Sequence, residues 1–378
     1  MPFLNIFEGH MEITVKKILK IVLQILLLLL IVAGMLGAYL TVDEYKPADI
    51  EQLTLSGDKG DKVVLGKEYT IETWNVGYGA LGDNADFFMD GGKMVNTATK
   101  DRVYYNLNGI LNQITTEAPD FLFLQELDRN STRAHYVDEL HYLADNSTGG
   151  VLSGQNAYAT NFRVAFLPYP IPPIGKVECG LGLFSTCHID DAKRYKLPTT
   201  FKWPVSAINL KRCLMIARCP IDGNDKELVF INFHLEAYDD GSGKIAQTKM
   251  LKELLIQEVE AGNYVIAGGD FNQVFTTVDT SDYPQLEGLW VPGVIDATEF
   301  EEYASFYTGD NAPSCRSLDR ALTTAQSRDP KDFQYYVIDG FLVSPNISVN
   351  EITTRDIGFE FADHNPVVMK FELTGGDN

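Results

Sequence analysis

Cysteine is scarce and poorly spaced for metal or redox work. The five thiols, Cys179, Cys187, Cys213, Cys219 and Cys315, contain no C-x-x-C pair, so nothing suggests a zinc ribbon or a thioredoxin-like motif. They read as mostly buried thiols, with one disulfide as the alternative in an exported domain. Basic residues are also in short supply: 31 Lys and Arg stand against 52 Asp and Glu. Long polyanions are therefore repelled on average, which disfavours a groove-tracking nuclease. There is no P-loop, no H-E-x-x-H helix and no G-x-S-x-G elbow, which removes several nucleotide-binding, protease and hydrolase classes. Internal repeats and low-complexity tracts are absent as well.

What is present is a chain of 378 residues, 45% apolar, enough for a sizeable buried core. From Ile21 to Leu40 the only strongly polar side chain is Gln24, and 20 helical residues at about 1.5 Å each cover a hydrocarbon core of roughly 30 Å. Lys16, Lys17 and Lys20 precede this segment and Asp43 and Glu44 follow it. The positive-inside bias then puts residues 1–20 in the cytoplasm, a single-pass anchor at 21–40 in the cell membrane, and the rest outside. A cleaved signal peptide is the competing reading, but the apolar run exceeds the roughly 7 to 15 residues of a typical signal core. Beyond residue 40 the balance is 28 basic to 50 acidic groups, so the acidity belongs to the outer part.

Residues 41–67, with Pro47, Gly57, Gly60 and Gly66 among charges, read as a linker. The domain from 68 to 378 then alternates elements. Tyr69–Asn75 and Phe121–Gln125 look like strands flanking a helix at 100–117, whose Val103, Leu107, Ile110, Leu111 and Ile114 share one stripe. Leu228–Leu235 and Tyr264–Ala267 flank a second helix at 244–261, stopped by Gly262. Further strands are expected near 155–166, 181–185, 199–210, 213–218, 336–343, 347–354 and 366–373, and long loops over 276–335. Strands outnumber helices, which favours two sheets packed face to face under helices.

Polar residues stand where the apolar strands run out, and strand ends are where α/β folds gather their sites. Asn75 follows Tyr69–Trp74, Glu126 follows Phe121–Gln125, and Asp270 and Asn272 follow Tyr264–Ala267. Asp270 and Asn272 are two apart, so an extended backbone presents both on one face, and Gly268 and Gly269 leave room for a ligand; an Asx-turn is the competing reading. Asp363 and His364 precede the last apolar strand, and Asp339 ends the run Tyr335–Ile338, a pairing suited to proton transfer. Oxygen donors from Asn75, Glu126, Asp270 and Asp363 suit a hard cation such as Mg²⁺ rather than zinc. His234 alternates with apolar neighbours and by itself reads as a core histidine.

The ordered set Thr73-Trp74-Asn75, Gln125-Glu126, Asn232-Phe233-His234-Leu235, Gly269-Asp270-Phe271-Asn272 and Asp363-His364-Asn365-Pro366 resembles the endonuclease/exonuclease/phosphatase superfamily, in particular membrane-anchored bacterial members. Phe87–Gly92 and Val337–Asn346 share that character. The resemblance implies a four-layer α/β sandwich with two packed mixed sheets and a divalent metal, Mg²⁺ with Mn²⁺ or Ca²⁺ as alternatives. It casts Glu126 as the principal metal ligand, aided by Asn75 and Asp363. Asp270 would orient or deprotonate the attacking water, Asn272 would hold a phosphoryl oxygen, Asp339 would orient His364, and His364 and His234 would bind phosphate and handle protons.

Arg133, Asn161, Arg194 and Arg316 are candidate substrate contacts, because guanidinium and amide groups match phosphate oxygens. The apolar, proline-rich stretch Asn161–Ile174 reads as core packing or a groove wall in preference to a lipid-facing lip. The expected reaction is hydrolysis of a phosphodiester or phosphomonoester in a small molecule or lipid headgroup outside the membrane. Alternatives are a membrane-anchored extracellular nuclease, which would need a basic track that the charge balance disfavours, and a surface module that kept the fold without the reaction. No protein partner is inferable.

Overall fold

The computed structural model describes residues 2–309 and 311–375, with side chains of the first helix from Val15 onward. That helix, Pro2–Asp43, leads into two large mixed sheets. One sheet has six strands, in the order Ile347–Thr354, Val367–Leu373, Glu68–Asn75, Phe121–Asp128, Gly175–Ser185 and Gln155–Leu167. The other has seven, in the order Ile50–Gln52, Asp191–Lys196, Cys213–Pro220, Glu227–His234, Tyr264–Asp270, Asp339–Val343 and Ser305–Tyr307.

Each sheet is built around one parallel pair, and a parallel pair needs a crossover. Helix Lys100–Glu117 joins Glu68–Asn75 to Phe121–Asp128, and helix Ser242–Glu260 joins Glu227–His234 to Tyr264–Asp270. Strand alternation sorts the side chains into layers. Ile71, Phe121, Phe123 and Leu181 meet Met215, Phe230, Ile266 and Phe341 between the sheets. On the outer faces, Trp74, Leu122 and Leu124 pack on Val103, Leu107, Ile110 and Ile114, while Val229, Ile231 and Phe233 pack on Leu251 and Leu255. Each such side chain contributes about 1.5–3 kcal/mol on burial. Helix, sheet, sheet and helix form the four-layer α/β sandwich expected, and both parallel pairs end where the polar residues begin.

Several local expectations differ. Residues 41–67 do not hang free as a linker: Ile50–Gln52 pairs with Lys193–Tyr195, Ser56 bridges Asn156, and Val63 bridges Ile221. The stretch 199–210 is turns and a short helical turn, Val205–Ile208, instead of a strand. Helix Glu139–Asp145, capped by the Asp138 side chain accepting from His141 N, carries only three buried residues and has a short apolar signal. Gly268 and Gly269 serve the sheet and not a ligand, since a Cβ on the first would lie 2.4 Å from the Phe341 ring and on the second 2.0 Å from the Phe233 carbonyl oxygen. All five cysteines are free and buried.

The first helix is long and apolar enough over Val15–Asp43 to cross a membrane, and its apolar stretch is unburied by the rest of the protein. A signal sequence passes the same test.

Candidate active site

The two parallel pairs deliver side chains to one cleft of about 620 Å³. Strand register does most of the placing: Asn75 lies beside Gln125, His234 beside Asp270, and Asp270 beside Asp339. Two buried amides lock the sheets together beneath this edge. Gln125 Nε2 donates to Asn232 Oδ1 at 2.8 Å, and Asn232 Nδ2 donates to the Gly182 carbonyl at 2.8 Å. Glu126 sits where the pairing of its strand shifts between Leu124 and Leu127, at φ 54°. A bulge of this kind re-aims a side chain, and a left-handed φ on a non-glycine residue costs about 1 kcal/mol or more.

Asn75 is the hub. Its Nδ2 lies 3.2 Å from Glu126 Oε1, 3.1 Å from Asp270 Oδ2 and 3.4 Å from His364 Nε2, while its Oδ1 accepts from the Gly77 amide at 3.1 Å. His234 Nε2 stands 3.5 Å from Asp270 Oδ2, and its Nδ1 is 3.9 Å from Glu126 Oε1 without a hydrogen-bond partner. His364 Nδ1 bonds Asp339 Oδ2 at 2.8 Å, leaving Nε2 at 3.8 Å from Asp270 Oδ2. The backbone at His364 is pinned by the Trp74 indole, which donates to its carbonyl at 2.9 Å.

Asp270 and Asn272 do not share an extended face. The strand ends at Asp270, Asn272 turns to φ 51°, and its backbone N–H donates to Asp270 Oδ1 at 2.8 Å. This is the Asx-turn reading. The Asn272 side chain donates to the Leu235 carbonyl at 3.0 Å and still lines the cleft.

Charge in the cleft is unbalanced. Burial pushes Asp270 up to about 7, with Asp339 adding to it and His364 opposing. Burial likewise pushes Asp363 to about 7, His364 opposing and Glu126 adding, and Asp363 Oδ1 has no hydrogen-bond partner. For His364 burial favours the neutral ring, but Asp339, Cys315 and Asp270 outweigh it and hold the imidazolium well above the usual range. Burial, Arg212 and His364 drive His234 the other way, to the neutral ring. Four acidic side chains thus gather around the His364 imidazolium, with Arg316 also acting on Asp363 and Arg212 on His234.

That surplus, with the unpartnered Asp363 oxygen, fits a divalent cation. Ligand atoms of Asp270, Asp339 and His364 lie within 4.8 Å of one another. However, Asp339 and His364 are already hydrogen-bonded to each other, and a protonated ring has no free lone pair. Glu126 and Asp363, which line the same cleft, offer carboxylate oxygens of the kind a hard ion prefers, while Asn75 turns its Nδ2 toward Glu126 and Asp270 and its oxygen to the Gly77 amide.

The four candidate substrate contacts separate. Arg133 lines the cleft, but its guanidinium grips Asp128 at 2.9 Å through two nitrogens and stacks 3.6 Å from the Tyr78 ring. Arg316 also lines it, yet donates to the carbonyls of Leu81, Gly82, Ala85 and Ser317. Asn161 is buried on the wall with Oδ1 unpartnered. Arg194 does not reach the cleft; it is buried against the Thr160 and Lys211 carbonyls. Sequence reasoning missed Arg212, which lines the cleft and donates to the His234 carbonyl at 3.1 Å, and Tyr238, whose hydroxyl donates to Asp90 Oδ1 at 2.7 Å across the mouth. The one available signal for Arg212 is its place just before the strand Cys213–Pro220.

Carboxylates, amides and histidines thus meet at the joint edge of a two-sheet sandwich. The chain belongs to the Endonuclease/Exonuclease/phosphatase family, whose profile matches residues 73–342. Among solved structures it is similar to an endonuclease/exonuclease/phosphatase from Beutenbergia cavernae DSM 12333, with 18% identity over 82% of this chain and 72% of that one, TM-score 0.54. It is also similar to a Bacteroides thetaiotaomicron family protein, with 15% identity over 81% of this chain and 97% of that one, TM-score 0.49. The human Nocturnin catalytic domain with bound sulfate matches at 16% identity over 85% of this chain and 98% of that one, TM-score 0.48. A search of curated protein sequences gave no match.

Proposed function

We propose that the chain is a divalent-metal-dependent phosphoesterase, tethered to the cell membrane by its first helix, that hydrolyses a phosphodiester or phosphomonoester of a small molecule or lipid headgroup outside the cytoplasm. The observation that carries this reading is the convergence of Asn75, Glu126, Asp270, His234, Asp339, Asp363 and His364 on one cleft from six separate chain segments.

Glu126, aided by Asp363, would hold the cation with Asn75 beside it, and Mg²⁺ is the best match to oxygen donors. Bound there, a divalent ion supplies charge compensation at the phosphoryl oxygens and makes a coordinated water more acidic. The remaining work falls to the side chains. Asp270, held through both oxygens by the Asn272 and Asn75 N–H groups and poised near neutrality, accepts the proton of the attacking water. His364, kept cationic and oriented by Asp339, donates from Nε2 to the phosphoryl group. His234, neutral, adds a second donor or acceptor opposite it, and Asn272 flanks the phosphate position.

Acidity disfavours long nucleic acids: the formal net charge is −21. The arginines that line the cleft are also spent on internal partners. Purified protein is assayed on bis(4-nitrophenyl) phosphate, a phosphatidyl diester, supercoiled circular DNA and RNA, with Mg²⁺ and with EDTA. Mg²⁺-dependent turnover of the small or lipid esters is expected. Nuclease cleavage at physiological salt without it would overturn the substrate assignment.

A further inference from the structure

We propose that the apolar collar at the mouth of the cleft docks into the membrane leaflet from which the first helix emerges, so that the cleft opens on the bilayer surface; this rests on the reading of that helix as a membrane anchor. The end of the helix is seated on the segments that carry the collar. Thr41 accepts the Trp203 indole N–H at 3.0 Å, Asp43 accepts the Ala165 amide at 3.1 Å, and Glu44 pairs with Lys211 at 2.9 Å. Leu40 packs with Leu167, Ile174, Ile208 and Leu210 against Phe162, Val164 and Val177. The helix therefore meets the domain beside the cleft mouth.

Around that junction large apolar side chains face outward. Tyr169 is 67% exposed, Ile171 95% and Trp203 64%, with Phe166, Val205 and Met89 also exposed. Such a patch costs hydration in water unless something covers it. Tryptophan and tyrosine are favoured at the level of lipid headgroups, where the ring body is buried and its polar tip stays wet. Of the charged groups at the junction, Lys211 is paired with Glu44, while Arg163 keeps its charge and stacks 5.0 Å from the Tyr45 ring. The same collar continues inward: Phe88, Met89, Leu167, Tyr169, Phe201 and Val205 line the outer wall of the cleft that ends at Asp270 and His364. The collar and the cleft wall thus share residues, Met89, Tyr169 and Val205 among them.

The test uses the full chain reconstituted in phosphatidylcholine vesicles containing lipids brominated near the headgroup end of the acyl chain. Trp203 fluorescence, isolated by difference against a Trp203→Phe variant, is expected to be quenched at least twofold relative to vesicles of unbrominated lipid. Introducing Phe166→Asp with Ile171→Asp, two side chains outside the cleft lining, is expected to remove most of that quenching while hydrolysis of bis(4-nitrophenyl) phosphate stays unchanged. Protein that floats with the vesicles but shows an unquenched Trp203 overturns the docking alone. Protein that does not float removes the anchor reading and the docking with it. Loss of all ester hydrolysis with Trp203 still quenched overturns the phosphoesterase reading and leaves the docking standing.

Discussion

Replacing Asp339 by Asn isolates one charge with little change of shape. The carboxylate accepts from His364 Nδ1 at 2.8 Å, and both groups are almost fully buried. An amide oxygen in the same place can still accept that hydrogen bond, so ring orientation survives and the negative charge does not. At an effective dielectric near 20, opposite charges at 2.8 Å attract by about 6 kcal/mol before solvation costs. The ring need not bear that loss as instability, because it can release its proton. Asp339 is the foremost influence holding the imidazolium above the usual range, and burial then pulls the ring toward the neutral form. A group that acts as a proton donor is competent below its pKa and fails as pH rises through it. The alkaline limb of the rate profile on bis(4-nitrophenyl) phosphate should therefore move to lower pH in the variant, and the maximal rate should fall on the order of 10²- to 10⁴-fold, the usual range for a lost general acid or base. A variant with wild-type rate and an unmoved limb would refute the role given to the Asp339–His364 pair.

Three further outcomes follow from the same structure. Glu72 is fully buried with both carboxylate oxygens unpartnered, and burial, reinforced by Glu117, raises it from 4.5 to about 8. Because the folded pKa is raised, its contribution to stability is intact below pH 4.5 and is lost as pH climbs through about 8. In urea titrations Glu72→Gln should gain on the wild type by up to about 5 kcal/mol over that window, and a pH-independent difference would contradict the assignment. Trp74→Phe leaves the His364 carbonyl without the indole donor, so thermal or urea unfolding should show a loss of about 1–3 kcal/mol; an unchanged midpoint would mean the bond is dispensable. Mg²⁺ at 100 times its dissociation constant should stabilise the wild type by about 2.7 kcal/mol, and EDTA should reverse the shift. Glu126→Gln should abolish it, whereas an equal shift in that variant would place the ion elsewhere.

Much of the site was readable because strand ends are readable. Asn75, Glu126 and Asp270 each follow an apolar run, and the fold brings such ends to one edge once the parallel pairs are recognised. His234 shows the limit: its alternation with apolar neighbours is that of a core residue, and only pairing beside Asp270 places it at the cleft. The arginines were least legible. Arg316 spends most of its donors on carbonyls more than 200 residues away in sequence, and Arg194 on the Thr160 and Lys211 carbonyls, partners that leave no local pattern. Asp90 and Tyr238 meet across 148 residues, so neither could be singled out from its own segment. The segment 41–67 looked like a linker because its glycines and charges signal turns, yet its few apolar residues, Leu53, Leu55, Val63 and Leu65, are enough to tie it to the inter-sheet core.

Where a divalent ion binds decides the reading of this cleft. Crystals soaked in Mn²⁺, a Mg²⁺ substitute with an anomalous signal, should show one strong peak at coordination distance, roughly 2 Å, from carboxylate oxygens of Glu126 and Asp363. A peak confined to surface acids, with this cleft empty at saturating Mn²⁺, would contradict it.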